Sequence, residues 1–171
     1  MAVKTLIETV TVGSGGASSI EFTGIPQESG ADLQILLSTR QDAFGHNQII
    51  MRFNSDSGSN YSFVELTGSG SSASSDSEST TSARIKAASP GPSETANTFG
   101  SSNVLISNYT SSSAKSISSD SVTETNATAA YRSMTANAWT GTAAITTITL
   151  TGDGANFVQY STASLYKIKY D

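Results

Sequence analysis

The chain has 171 residues, a formal net charge of −5 and no cysteine. The absence of cysteine excludes disulfides, thiolate zinc sites and cysteine nucleophiles. A pI near 4.7 without a basic stripe argues against nucleic-acid binding. Because no run of about 18 apolar residues and no signal-peptide pattern occurs, we expect synthesis in a cytoplasm and no membrane span.

The composition favours an all-β fold in a single domain covering residues 1–171. Hydrophobic residues make up 36% and charged residues only 13% of the chain. Serine and threonine dominate the remainder, and threonine, valine, isoleucine and the aromatics favour strands while serine and glycine favour turns. The length suffices to bury about two-thirds of the surface that the unfolded chain exposes.

In chain order, the first elements are short strands with alternating apolar residues. Residues 6–12 and 18–23 each alternate and are separated by a glycine-rich turn, so we expect a first hairpin. Residues 32–40 place Leu33, Ile35 and Leu37 on one face, which predicts a half-buried strand that faces the core.

The stretch 48–66 predicts a β-hairpin at the centre of the fold. Two alternating apolar runs flank a cluster of turn-forming residues, and together they bring a large aromatic load to one side of a sheet. The residues expected to carry this load are Ile49, Met51, Phe53, Tyr61 and Phe63. An isolated hairpin is marginal in water, so a second layer must cover it.

The following residues, 67–82, are rich in serine and glycine and offer almost nothing to bury, so we expect a long surface loop that is dispensable for folding. Beyond it the pattern predicts further strands. Residues 103–109 look buried on both faces, and the few apolar side chains of residues 114–124 suit an outer or edge strand better than a central one. The remaining predicted strands cover residues 83–87, 129–139, 145–151 and 156–170.

About ten short strands without a convincing helix predict an antiparallel β-sandwich, with a jelly roll as the expected topology. An all-β solenoid is the alternative, but no repeat of fixed period supports it.

Candidate chemistry is sparse, and we expect neither an enzyme nor a cofactor. His46 is the only histidine, and no nucleophile-elbow pattern surrounds any serine, so we expect His46 to be an exposed loop residue. The turn 54–60 spaces oxygen-bearing side chains as in an EF-hand loop, but Ser59 stands where a glycine is needed, so we expect no metal there. Trp139, Tyr109 and Tyr131 are the candidates for contacts with carbohydrate or a partner, and core packing is the competing interpretation of each.

Four segments of the chain together resemble a group of structural proteins in the virions of tailed bacteriophages of aquatic origin. These segments are LIETVTVGSGGASSIEFTGIPQ, IIMRFNSDSGSNYSFVEL, ISNYTSSSAKSISSDSVTETNATAAY and AITTITLTGDGANFVQYSTASLYKI. The family patterns are an opening VGSGGAxSIxFxxIPxxYxDL, a middle RFNxDxGxNY and an ending GNFVQYSxxxLYGI, so the resemblance spans nearly the whole chain. The chain departs from them at residues 28–31, where an aromatic residue is usual, and at Lys167, where a glycine is usual.

The resemblance implies a non-enzymatic virion component that binds other virion proteins, either the major capsid protein or tail proteins. A capsid decoration or cement protein, present in many copies and homo-oligomeric, is the first expectation. A tail-fibre or receptor-binding module that contacts host surface polysaccharide is the alternative.

Overall fold

The computed structural model describes residues 1–126 and 130–170, and of His46 only the backbone. The described residues form twelve strands in two antiparallel sheets packed together and contain no helix, so the predicted all-β sandwich is confirmed. The strands are β1 (Ala2–Thr11), β2 (Ser19–Phe22), β3 (Ala31–Thr39), β4 (His46–Phe53), β5 (Tyr61–Ser69), β6 (Ser72–Thr80), β7 (Ala83–Pro90), β8 (Gly100–Ile106), β9 (Lys115–Thr123), β10 (Tyr131–Trp139), β11 (Ile148–Gly152) and β12 (Thr162–Tyr170). Within these ranges there is accordingly no helix long and apolar enough to cross a membrane.

The two sheets differ in width. The larger has eight strands in the order β1-β12-β3-β8-β9-β10-β5-β6, and the smaller has four in the order β2-β11-β4-β7. The chain passes from one sheet to the other after β1, β2, β3, β4, β6, β7, β10 and β11. Two antiparallel hairpins, β5–β6 and β9–β10, widen the larger sheet beyond β8. They join each other through β5 and β10.

The core lies between the sheets because alternate residues of each strand point inward. In β3 the residues Leu33, Ile35 and Leu37 are buried, as the sequence predicts. The smaller sheet opposes them with side chains from β2, β4 and β11. These are Ile20, Phe22, Ile49, Met51, Phe53, Ile148 and Leu150.

The predicted central hairpin is wrong in its pairing, although its apolar residues are buried as expected. The arms β4 and β5 do not pair with each other, because β4 pairs with β7 and β11 while β5 pairs with β6 and β10. Residues 54–60 therefore carry the chain from the smaller to the larger sheet. Both arms turn their apolar faces toward the interior, where the ring centres of Phe53 and Tyr61 are 6.2 Å apart. The alternation in sequence is therefore the same as for a hairpin.

The first predicted hairpin is wrong for the same reason. β1 pairs with β12 in the larger sheet, whereas β2 pairs with β11 in the smaller one. Local alternation fixes which face of a strand is buried, but it does not fix which strand lies beside it.

The predicted surface loop at residues 67–82 is also wrong, because β5 continues to Ser69 and Ser72–Thr80 forms β6. The two strands pair through nine consecutive residue pairs without a register shift. Backbone hydrogen bonds hold β6 in place, since all of its residues except Thr80 are exposed. A strand of this kind leaves no apolar signal in the sequence.

Residues 115–123 form a central strand rather than the predicted edge strand, since β9 lies between β8 and β10. Its buried face carries Ser119, Ser121 and Thr123 beside Ile117. β7 of the smaller sheet packs against β9 and β10, and small hydroxyl side chains let the two layers approach closely there. The prediction that residues 103–109 are buried on both faces is wrong as well, because in β8 only alternate residues are fully buried.

One side chain joins the hairpins β5–β6 and β9–β10, referred to below as the inserted hairpins, to the smaller sheet. The Asn137 side chain on β10 accepts a hydrogen bond from the Arg84 backbone N–H at 2.7 Å and donates one to the Arg84 carbonyl at 3.0 Å. Arg84 lies on β7, the edge strand of the smaller sheet. Asn137 therefore satisfies a backbone group of β7 as a neighbouring strand would, and it is itself 4% exposed.

Replacing Asn137 with alanine should destabilise the protein by about 2–4 kcal/mol, because it leaves two buried backbone groups of Arg84 without a partner. The matched control is Asn103→Ala, which removes an exposed amide that bonds only to Gln34 and should cost at most about 1 kcal/mol. Urea unfolding followed by circular dichroism measures both. Equal losses in the two variants would contradict the bridging role of Asn137.

Candidate interaction surface

The outer face of the larger sheet is mostly polar, and cross-strand hydrogen bonds cover much of it. The Gln34 amide donates to Asn103 Oδ1 at 2.7 Å, and the hydroxyls of Thr9 and Ser164 are 2.9 Å apart. Serine, threonine and other polar residues share this face with Leu6, Leu36 and Leu105. A face of this kind is well solvated and flat enough to lie against another protein.

An apolar strip interrupts this polar face on the inserted hairpins. We define it by four outward-facing residues of β5 and β10, namely Val64, Leu66, Met134 and Ala136. Met134 lies opposite Leu66 and Ala136 opposite Val64 in the register of the two strands. The side chains of Val64, Leu66 and Met134 are 56%, 55% and 57% exposed. The strip and its serine neighbours line a shallow depression of about 300 Å³.

The strip has a signal in the sequence, although none of its residues was among the predicted contact residues. Along β5, Tyr61 and Phe63 point into the interior, while Val64 and Leu66 point outward. Apolar residues on both faces of a strand indicate that a second surface is covered or used. The predicted hairpin 48–66 already contains Val64 and Leu66, but the pairing that places Met134 and Ala136 beside them belongs to the folded sheet.

β6 forms the free end of the larger sheet beside the strip. It is nine residues long, and it pairs on one side only. The strand at the opposite end of the sheet, β1, has a register shift between Leu6 and Glu8 that interrupts its ladder. A β-bulge of this kind protects an edge from further pairing, whereas β6 has neither a bulge nor a proline nor a lysine.

The structure places two of the three predicted contact residues in the core. Trp139 is 3% exposed and Tyr109 is fully buried, so neither ring can stack on a sugar. The Tyr109 hydroxyl donates to the Pro26 carbonyl and accepts from the Glu28 N–H at 3.3 Å. Tyr131 is the first residue of β10 and is half-buried. For Trp139 and Tyr109 the competing interpretation as core residues is therefore correct.

Asp56 explains why Trp139 is buried with its polar atom satisfied. The indole Nε1 of Trp139 donates to Asp56 Oδ2 at 2.7 Å. The same carboxylate accepts hydrogen bonds from the Asn60 side chain and the Gly58 N–H. The hydrogen bond from Trp139, followed by those from Asn60 and Gly58, lowers the pKa of Asp56 below its ordinary value.

The EF-hand-like spacing of residues 54–60 serves the turn itself. The Asn54 Oδ1 accepts from the backbone N–H groups of Thr146 and Thr147 at 2.8 and 3.2 Å. With Asp56 bound to Trp139, both leading oxygen positions already have protein partners. Residues 1–126 and 130–170 contain no group of three acidic or histidine side chains that could hold a metal ion.

The His46 side chain lies outside the described part of the structure, so its predicted exposed position stays a prediction.

A polar pocket of about 350 Å³ lies at one end of the sandwich. Two segments far apart in sequence, 14–16 and 156–159, meet there beside Asp42. Asp42 accepts hydrogen bonds from the Asn156 backbone N–H at 2.7 Å and from its side-chain amide at 2.9 Å. These bonds lower the pKa of Asp42, the backbone bond having the larger effect. Both carboxylate oxygens thus hold the chain in place, and the pocket has no second titratable group for catalysis.

Comparison with known proteins identifies no relative of this chain: no protein-family model, no curated protein and no solved structure matches it.

The Asp56 network predicts a specific dependence of stability on pH. Because the folded-state pKa of Asp56 lies below its ordinary value of 3.8, its stabilising effect is fully present above that value. This contribution disappears as the pH falls through the folded-state pKa. Urea unfolding of the wild type and of Asp56→Asn between pH 7 and pH 2, followed by Trp139 fluorescence, should give curves that converge below about pH 4. A constant difference between the two proteins over this whole range would contradict the prediction.

Proposed function

We propose that the chain is a non-enzymatic structural protein of a tailed-phage virion, and more specifically a decoration protein that binds the capsid shell in many copies. The three family motifs support the phage assignment, since they occur in order from the start of the chain to its end. The proposed location is the virion, after synthesis in the cytoplasm of the bacterial host.

The observation that carries the proposal is the apolar strip on the larger sheet. Three large apolar side chains, each more than half exposed, lie together on the outer face of the larger sheet. Exposed apolar patches with a polar rim are typical of protein contact sites. The strip lies on the inserted hairpins, so a binding function accounts for this widening of the sheet. We propose that it contacts a shell subunit.

A decoration protein stabilises a shell by mass action. If it binds only the assembled lattice, each bound copy contributes free energy according to RT ln(1 + [L]/Kd). A few apolar side chains per copy suffice for this purpose, because a shell presents many equivalent sites. Self-association into a homo-oligomer belongs to the proposal, and light scattering of the purified protein measures it.

We also propose that the sandwich is a jelly roll with two inserted hairpins. The strand order supports this topology. Without the hairpins, a sheet β1-β12-β3-β8 faces a sheet β2-β11-β4-β7, and successive strands lie in different sheets except for β4 and β7, which are neighbours in the smaller sheet. This order corresponds to the BIDG and CHEF sheets of an eight-stranded jelly roll.

The alternative function, a tail-fibre or receptor-binding module for host polysaccharide, has less support. Trp139 and Tyr109 lie in the core, so of the three candidate sugar contacts only Tyr131 is partly exposed. Binding of the purified protein to host polysaccharide, lost in Tyr131→Ala, would favour this alternative.

Replacing Leu66 and Met134 with serine should weaken binding to undecorated shells by at least about tenfold, because it removes most of the apolar contact area. The matched control is Leu36→Ser, which changes a 37% exposed leucine on the same face of the sheet but away from the strip. Sedimentation of shells with labelled protein measures the affinity of each variant.

Two outcomes would contradict the proposal. One is equal shell binding by the strip variant and the Leu36→Ser control, which would remove the strip from the contact. The other is density for a few copies confined to the tail of an intact particle, which would replace the decoration role with a tail role.

A further inference from the structure

β6 has a neighbouring strand on one side only. Its nine residues are held by hydrogen bonds to β5 alone, and eight of them are exposed on both faces of the sheet. The outer edge of such a strand presents backbone N–H and C=O groups that no neighbouring strand pairs. Its regular ladder gives these groups the spacing that an added strand requires.

The two faces of β6 differ in charge. The outward face carries Ala73, Ser75, Ser77 and Ser79, which are small and neutral. The inward face carries two exposed carboxylates, because Asp76 lies opposite Glu65 and Glu78 lies opposite the buried Phe63. The alternation therefore places two negative charges on adjacent positions of one face.

Asp76 and Glu78 are the exposed negative charges at this edge, because the nearby Glu65 already has a basic partner. Lys86 on β7 pairs with Glu65 at 3.2 Å and lies 4.7 Å from the centre of the Phe63 ring. Glu65 is thus already neutralised by its own partner. The Asp76 carboxylate accepts a hydrogen bond from the Ser77 N–H at 2.8 Å and lies on the exposed edge.

We propose that the outer edge of β6 binds an extended segment of a partner protein as an additional strand, and that this segment carries lysine or arginine at alternate positions. In an added strand, alternate side chains fall on the face of Asp76 and Glu78 and lie close enough to pair with them. Backbone hydrogen bonds supply the register, and the basic side chains supply the selectivity for this partner.

Charge favours such a partner over a second copy of this chain. Two β6 strands that pair would bring four carboxylates, from two copies of Asp76 and Glu78, onto one narrow face. Each copy also carries a net charge of −5. The opposite edge, β1, has the bulge that interrupts its ladder, so it is a poor strand for β6 of another copy to pair with.

This inference goes beyond the proposed virion function and does not depend on it. The strip faces outward from the sheet, whereas the β6 edge lies at its side, so one contact can fail while the other holds.

Labelled nonapeptides test the proposal with the full chain. A peptide of alternating threonine and lysine should bind in fluorescence anisotropy, and a peptide of alternating threonine and glutamate should not. On binding, amide hydrogen exchange should slow within residues 72–80. Asp76→Asn combined with Glu78→Gln should weaken binding by at least about fivefold. The control, Glu8→Gln combined with Glu21→Gln, removes two charges from other edge strands and should leave most of the affinity.

Backbone methylation separates strand addition from charge attraction alone. Two further peptides carry N-methyl groups either on every lysine or on every threonine. Only one alternate set of N–H groups in an added strand faces β6, so one of these peptides should bind and the other should lose at least about tenfold in affinity.

Three results would overturn the proposal. Equal binding of both methylated peptides would mean that charge attraction alone holds them. Equal affinity losses in the two double variants would show that the attraction is not local to β6. Slow amide exchange within residues 72–80 of a dimer, without any peptide, would assign the edge to a second copy of the chain.

Discussion

The passage of the chain between the two sheets at residues 54–60 depends on a cluster of three aromatic rings. The Phe53 and Trp139 ring centres are 5.3 Å apart, and Tyr61 stacks on Trp139 at 6.3 Å. The Tyr61 hydroxyl accepts from the Phe53 N–H at 3.1 Å, and Asp56 holds the indole. Burial is the main reason why the pKa of Tyr61 is raised to about 12. Because the cluster unites β4, β5 and β10, it fixes where the inserted hairpins join the sandwich.

A buried lysine, Lys115, packs against the Trp139 ring of this cluster. The Lys115 ammonium donates to the carbonyls of Ser111, Ser113 and Ala143 and lies 5.6 Å from the centre of the Trp139 ring. Burial lowers its pKa, and the three carbonyls compensate the ammonium for lost hydration. The sequence gives no sign of this role, since a single lysine at the start of a serine-rich strand looks exposed.

The prediction of buried faces succeeded wherever apolar residues alternate, and the prediction of neighbours failed. Leu33, Ile35 and Leu37 are buried as expected, and so are Phe53 and Phe63. Both predicted hairpins instead connect the two sheets. A strand whose successor lies in the other sheet has the same alternation as one that pairs with its successor, so periodicity cannot distinguish the two.

The sequence alone determined the all-β class, the existence of most strands and their buried faces, because these follow from side-chain chemistry at period two. Only the tertiary structure decided that residues 72–80 form a strand, since backbone hydrogen bonds to β5 hold them. The burial of Trp139 and the exposure of Leu66 and Met134 also follow only from the tertiary structure. Burial on a two-sided sheet depends on which layer covers each face, and that layer comes from distant parts of the chain.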